Sequence, residues 1–167
     1  QLRLVQELHK INKNLIVVMV NGRPLSEPWI TENISGIIEA WEPGSFAGQA
    51  IAEIIKGEVN PSGKLTITFP HHSGQIPMVY NQKPSSFFRK YIDAPSTPMW
   101  YFGYGLSYSE FQYSNPKIKK LEDSFRIDIE IENKSSIEGD EIIQLYVSDE
   151  VSSVTRPLKE LIDYKRI

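Results

Sequence analysis

The stretch Leu15-Ile16-Val17-Val18-Met19-Val20 is continuously apolar and rich in β-branched residues. Such a run suits a strand buried on both faces of a parallel sheet, since a half-exposed strand would alternate apolar with polar positions. Upstream, Leu4, Val5, Leu8 and Ile11 fall at i, i+1, i+4 and i+7, a helical stripe that Asn12-Lys13-Asn14 ends. Downstream, Asn21-Gly22-Arg23-Pro24 turns the chain, and Trp29 to Asn33 suits a short helix. Gly36 to Trp41 reads as the next strand, broken by Pro43-Gly44. Phe46, Ala47, Ala50, Ile51, Ile54 and Ile55 then form a second helical stripe, which Gly57 is placed to cap. Asn60-Pro61-Ser62-Gly63 is a turn, and Lys64 to Phe69 alternates like a strand. The order α-β-α-β-α-β predicts a parallel sheet with helical crossovers.

Residues 70–99 break this rhythm. They hold Pro70, Pro77, Pro84, Pro95 and Pro98 and few periodic apolar positions, as a long functional loop does. Next comes Tyr101-Phe102-Gly103-Tyr104-Gly105-Leu106-Ser107-Tyr108. Its glycines admit close backbone approach and its rings supply contact area, which predicts a structural corner. From about Phe111 the pattern changes again. Phe125, Ile127, Ile129 and Ile131 alternate with Arg126, Asp128, Glu130 and Glu132, as in an antiparallel sheet with one solvated face. A turn over Ser135 to Asp140, a strand over Glu141 to Ser148, and a loop-like stretch from Val151 to Leu161 follow. This reads as the start of a β-sandwich, with only three or four strands before Ile167 and too few to close a two-sheet core.

The 167 residues are 40% hydrophobic and 23% charged, enough for a packed core. The net charge of −3 offers no concentrated basic face for nucleic acid. The longest apolar run, six residues, is far below the ~18 that a membrane helix needs. There is no cysteine, which excludes disulfides, thiolate zinc sites and thiol nucleophiles. The chain opens on Gln1-Leu2-Arg3-Leu4, with neither initiator methionine nor signal sequence, and is expected to be a piece of something longer.

Candidate chemistry is sparse. His71-His72 lack a third ligand at metal spacing, and adjacent residues on an extended segment point apart, so they read as two loop histidines. Gly44-Ser45-Phe46-Ala47-Gly48 precedes a helix but matches no phosphate-loop spacing, so it reads as a tight strand-to-helix turn. Arg23 follows a strand at the sheet end where ligands collect. It either faces a ligand or forms a salt bridge at a domain interface. Ser45, Ser62 and Ser107 lack the nucleophile-elbow pattern, and no pair among the glutamates stands out as acid and nucleophile.

Several motifs in order resemble glycoside hydrolase family 3, the β-glucosidases and β-xylosidases. They are Val17 to Leu25, Glu39-Ala40-Trp41-Glu42-Pro43-Gly44, Gly48 to Gly57, Asn60 to Leu65, Thr68-Phe69-Pro70, Gln75-Ile76-Pro77, Tyr80-Asn81-Gln82-Lys83-Pro84 and Phe102 to Tyr108. Gly139 to Val147 and Ser153 to Leu161 resemble the family's fibronectin type III-like domain. The resemblance implies an α/β sandwich domain, a mainly parallel sheet flanked by helices, over residues 1–110. It implies a partial all-β fibronectin type III-like sandwich over residues 111–167, each domain truncated at its outer end.

It also implies a retaining, exo-acting β-glucosidase-like enzyme that releases terminal non-reducing β-D-glucosyl residues. The aspartate nucleophile belongs to an absent N-terminal (β/α)8-type barrel, and the acid/base glutamate falls before Gln1. No catalytic residue is carried over, and the chain alone is expected to be inactive. Retaining hydrolysis needs two carboxyl groups about 5–5.5 Å apart. Tyr80, Asn81, Lys83 and Arg89 suit the edge of a sugar pocket, where rings stack and polar groups read hydroxyls. The alternative is that this loop packs on the barrel or the fibronectin-like domain. The implied partners are a β-linked oligosaccharide or glucoside and the missing barrel. No cofactor, metal, nucleic acid or membrane span is implied, and family habit suggests a periplasmic or secreted location. Two other readings are a non-catalytic carbohydrate-binding or interaction module, and a nucleotide-binding α/β protein.

Overall fold

The computed structural model describes residues 1–84 and 91–167. The first unit begins with helix α1 (Leu2–Ile11), which ends where the Asn12 N–H closes on the Leu8 carbonyl. His9 and Lys10 lie in its last turn, where cations complement the helix dipole. Strand β1 (Ile16–Val20), helix α2 (Pro28–Asn33) and strand β2 (Gly36–Trp41) follow, with Pro28 at the first helical position of α2. His9 and Trp29 pack edge to face at 5.5 Å, joining α1 to α2. β1 and β2 pair in parallel, from Ile16 opposite Gly36 to Val20 opposite Trp41. Helix α3 (Ala47–Lys56) ends at Gly57, whose left-handed φ of 76° is the cap the sequence predicts.

Two expectations change here. β1 is not buried on both faces. Met19 alone is buried, while Ile16 and Val20 are 50% and 63% exposed. The alternating Lys64 to Phe69 segment does not extend the parallel pair as a third strand. It pairs with the aromatic–glycine segment instead. Leu65 N–H donates to Tyr104 O (2.8 Å), Gly103 N–H to Leu65 O (2.7 Å), and Phe69 N–H to Trp100 O (2.9 Å). Phe69 and Trp100 form an isolated β-bridge. The glycines at 103 and 105 permit this approach, so backbone partners come from the corner rather than from the sheet. Phe69 is fully buried between Trp41 and Trp100, at ring distances of 5.7 and 5.2 Å.

The second unit is antiparallel. β3 (Phe111–Lys120) pairs with β4 (Phe125–Asn133), and β5 (Ile142–Val147) pairs with β6 (Glu160–Arg166). The β3–β4 register slips between Ser114 and Lys117, where Asn115 takes a φ of 51°. Pro116 explains the slip, because it has no N–H for the ladder, and asparagine tolerates the left-handed region. The apolar face of β4 is open, with Phe125 at 66% and Ile127 at 39% exposure. β6 begins at Glu160, inside the stretch from Val151 to Leu161 that the sequence reads as loop-like.

Candidate functional site

The carboxyl end of β1–β2 gathers Asn21, Arg23, Glu39 and Trp41. Asn21 N–H donates to Trp41 O (3.0 Å), and its side-chain amide donates to both Glu39 oxygens (3.1 and 3.3 Å). Trp41 N–H donates to Glu39 Oε1 (3.2 Å). These bonds hold Trp41 at a φ of 53°, a conformation that costs a non-glycine residue on the order of 1–3 kcal/mol, and turn its ring onto Phe69. Asn21 Oδ1 accepts from Arg23 N–H (3.2 Å), so the loop carrying Arg23 is tied to the same cluster. Arg23 is exposed.

Burial pushes the Glu39 carboxyl above its ordinary value of 4.5, against the opposing pull of the hydrogen bonds from Trp41 and Asn21. A carboxyl raised in the folded state favours folding most below its ordinary value, and that contribution is lost as pH rises through the folded value. Glu39→Gln keeps an oxygen acceptor for Trp41 and Asn21 without the charge. Its urea midpoint is expected to gain on the parent between about pH 4 and about pH 7. A difference that stays flat or shrinks over this window contradicts the burial account.

A second cluster lies at the junction of the two units, around the aromatic–glycine corner. Asn60 makes four hydrogen bonds there. Its amide donates to Ser109 Oγ (2.8 Å) and Glu138 O (3.0 Å). Its Oδ1 accepts from Ser107 Oγ (2.9 Å) and Tyr108 N–H (2.8 Å). Lys64 Nζ donates to Gly105 O (2.9 Å) and lies 3.4 Å from Glu141, with both side chains largely buried. Tyr113 donates to Glu141 Oε1 (2.8 Å), and its phenol is pushed up by burial first and by Glu141 second. Gln144 Nε2 donates to Gly103 O (2.9 Å). The corner is therefore an inter-unit latch. Sequence reading placed the corner but missed Asn60, Lys64 and Gln144. The Asn60-Pro61-Ser62-Gly63 stretch signals a turn and carries no sign of its distant partners.

The predicted site residues fall into separate environments. Tyr80 stacks on Phe102 at 4.1 Å and 16°, with Tyr146 edge-on at 6.3 Å. Its hydroxyl oxygen accepts from Leu161 N–H (3.3 Å). Asn81 is half-buried and Lys83 is exposed. Arg89, with Phe87 and Phe88, lies outside the described residues. His72 caps a 3-10 turn (Ser73–Gln75), its Nδ1 accepting from Gly74 N–H (3.1 Å). The buried Gln75 amide donates to Pro95 O (2.6 Å), pinning the loop to itself. Gly44, at a φ of 71°, accepts from Ala47 N–H (3.3 Å), the strand-to-helix turn the sequence predicts. Among the described residues no group of three histidine or acidic side chains is placed to hold a metal.

A parallel β-α-β unit is thus latched through an aromatic–glycine corner to an antiparallel β unit. Residues 1–108 match the glycosyl hydrolase family 3 C-terminal domain, and residues 141–167 match a fibronectin type III-like domain. The chain belongs to glycosyl hydrolase family 3. A β-xylosidase from Formosa agariphila is 43% identical over 100% of this chain and 24% of its own length. A periplasmic β-glucosidase from Salmonella typhimurium is 34% identical over 98% of this chain and 23% of its own. The solved structure of a β-glucosidase from Erythrobacter marinus superposes with a TM-score of 0.94 at 38% identity, covering 99% of this chain and 22% of that one. The chain thus spans about a quarter of the length of these relatives.

Proposed function

We propose that this chain is the non-catalytic C-terminal portion of a retaining, exo-acting β-glucosidase-like hydrolase that removes terminal non-reducing β-D-glucosyl residues. The observation that carries this is the near-complete match of the chain to about a quarter of each β-glucosidase or β-xylosidase relative. In this reading an N-terminal barrel supplies the nucleophile, and the acid/base also lies outside the chain. The domains divide at about residue 110. The β1–β2 pair is part of a wider α/β sandwich, and the substrate is a β-linked oligosaccharide or glucoside in the periplasm or outside the cell. No described helix is long and apolar enough to cross a membrane.

Asn81, Lys83 and Arg89 are proposed at the rim of the sugar pocket. Tyr80, with one ring face taken by Phe102, serves this rim by holding the loop. The purified chain is expected to release no nitrophenol from nitrophenyl β-glucoside or β-xyloside above background, whereas the longer enzyme containing it turns over. Turnover by the chain alone at a rate comparable to the longer enzyme refutes the assignment. A xylosidase reading is favoured if the longer enzyme prefers the xyloside.

A further inference from the structure

Two residues of the long loop are pinned to the segment matched as fibronectin type III-like, and Asn81 lies between them. Tyr80 is held from three sides. Phe102 covers one ring face, Tyr146 of β5 approaches edge-on, and Leu161 N–H donates to its hydroxyl oxygen (3.3 Å). Gln82 is held through its backbone, where its carbonyl accepts from Leu158 N–H (3.0 Å). Tyr146 is itself fixed. Its hydroxyl donates to Gln144 Oε1 (2.6 Å), and Lys159 Nζ sits 5.3 Å from its ring centroid.

With both neighbours anchored, the backbone at residue 81 has little freedom, and Phe102 of the corner and the β unit together set the direction of the Asn81 side chain. The half-buried carboxamide of Asn81 takes no hydrogen-bond partner among the described residues. A primary amide offers two donors and an acceptor, which matches the mixed hydrogen bonding of sugar hydroxyls. Fixing such a group in advance lowers the ordering cost of binding.

We propose that the fibronectin type III-like unit acts as a positioning element for substrate binding, with Tyr146 and Tyr80 orienting Asn81 toward a hydroxyl of the bound glycoside. This rests on the β-glycosidase reading above. The positioning residues touch no reacting atom, so their loss acts on binding and not on bond cleavage.

The test uses the full-length enzyme and nitrophenyl β-glucoside or β-xyloside. Asn81→Ala is expected to raise KM about 3- to 10-fold with kcat within about twofold, the signature of lost uniform binding. Tyr146→Ala is expected to raise KM similarly. The double variant is expected to match the single Asn81→Ala variant, because the two act through one contact. Tyr146→Phe keeps the ring and is expected to restore most of the affinity. If Tyr146→Ala fails to fold, Tyr80→Phe removes only the acceptor for Leu161 N–H and is expected to give a smaller rise in KM. That rise is expected to vanish on an Asn81→Ala background.

An unchanged KM in Asn81→Ala overturns the proposal. So do additive effects in the double variant, or a Tyr146→Ala variant that loses thermal stability and kcat while keeping KM. A wild-type enzyme inactive on both glycosides overturns the functional reading instead, so the two failures are distinguishable.

Discussion

Gly105→Ala is expected to destabilise the protein by about 3 kcal/mol, the upper range for forcing extra volume into a packed site. A β-carbon at this position would overlap the Gly63 carbonyl oxygen and stand 3.1 Å from Lys64 Cδ. A side chain can rotate out of the way, but a backbone oxygen cannot. Relief therefore requires the Gly63 and Gly105 backbones to part. Parting them strains the Lys64 bond to Gly105 O (2.9 Å) and the Leu65 and Tyr104 backbone pairing (2.8 Å). For a chain of this size the melting temperature is expected to fall by roughly 6–12 °C. Gly48→Ala is the control. It lies in α3 with nothing within 4 Å of the added carbon, and alanine favours a helix over glycine by up to about 1 kcal/mol. A Gly105→Ala protein that melts together with Gly48→Ala shows that the corner does not press on the Gly63 turn.

Asn60→Ala is expected to cost about 2–4 kcal/mol, from four hydrogen bonds worth about 1 kcal/mol each, with part of the loss recovered by water. Its distinctive effect is on cooperativity, because the bonds reach Ser107 and Tyr108 of the corner, Ser109 just after it, and Glu138 in the turn between β4 and β5 of the β unit. Trp29, Trp41 and Trp100 are the three tryptophans, and all precede the corner, so their fluorescence reports the α/β unit. Far-UV dichroism reports strands of both units. The two probes are expected to give one coincident urea transition in the parent and separated transitions in Asn60→Ala. Asn60→Asp keeps the oxygen that accepts from Ser107 and Tyr108 but loses the amide that donates to Ser109 Oγ and Glu138 O. It is expected to lie between the parent and Asn60→Ala. Coincident transitions at an unchanged midpoint in Asn60→Ala remove the latch role.

Local pattern carried much of the fold. The stripe in Phe46 to Ile55 and Gly57 placed α3 and its cap, because helix periodicity and left-handed glycine are short-range properties. The run from Leu15 placed β1, and the alternation from Phe125 placed β4. Lys64 to Phe69 was the instructive failure. Its alternation meets the requirement for a strand, yet strand pairing depends on which backbone lies alongside, and the corner reached it first. The site was less legible. Tyr80 has the chemistry of a sugar platform, but its ring is stacked on Phe102, a contact 22 residues away in sequence that no local pattern specifies.

The amino-acid sequence alone determined the order of helices and strands, the aromatic–glycine corner and the resemblance to glycoside hydrolase family 3. These depend on residue type and near-neighbour spacing. Only the tertiary structure decided that Asn60 and Lys64 are latch residues, that Glu39 is a half-buried carboxyl holding Trp41 in a left-handed turn, and that the loop around Asn81 is anchored by Phe102 and the β unit. Each of these depends on hydrogen bonds and ring contacts between segments far apart in the chain. Their partners are selected by the packed backbone, not by the residues beside them.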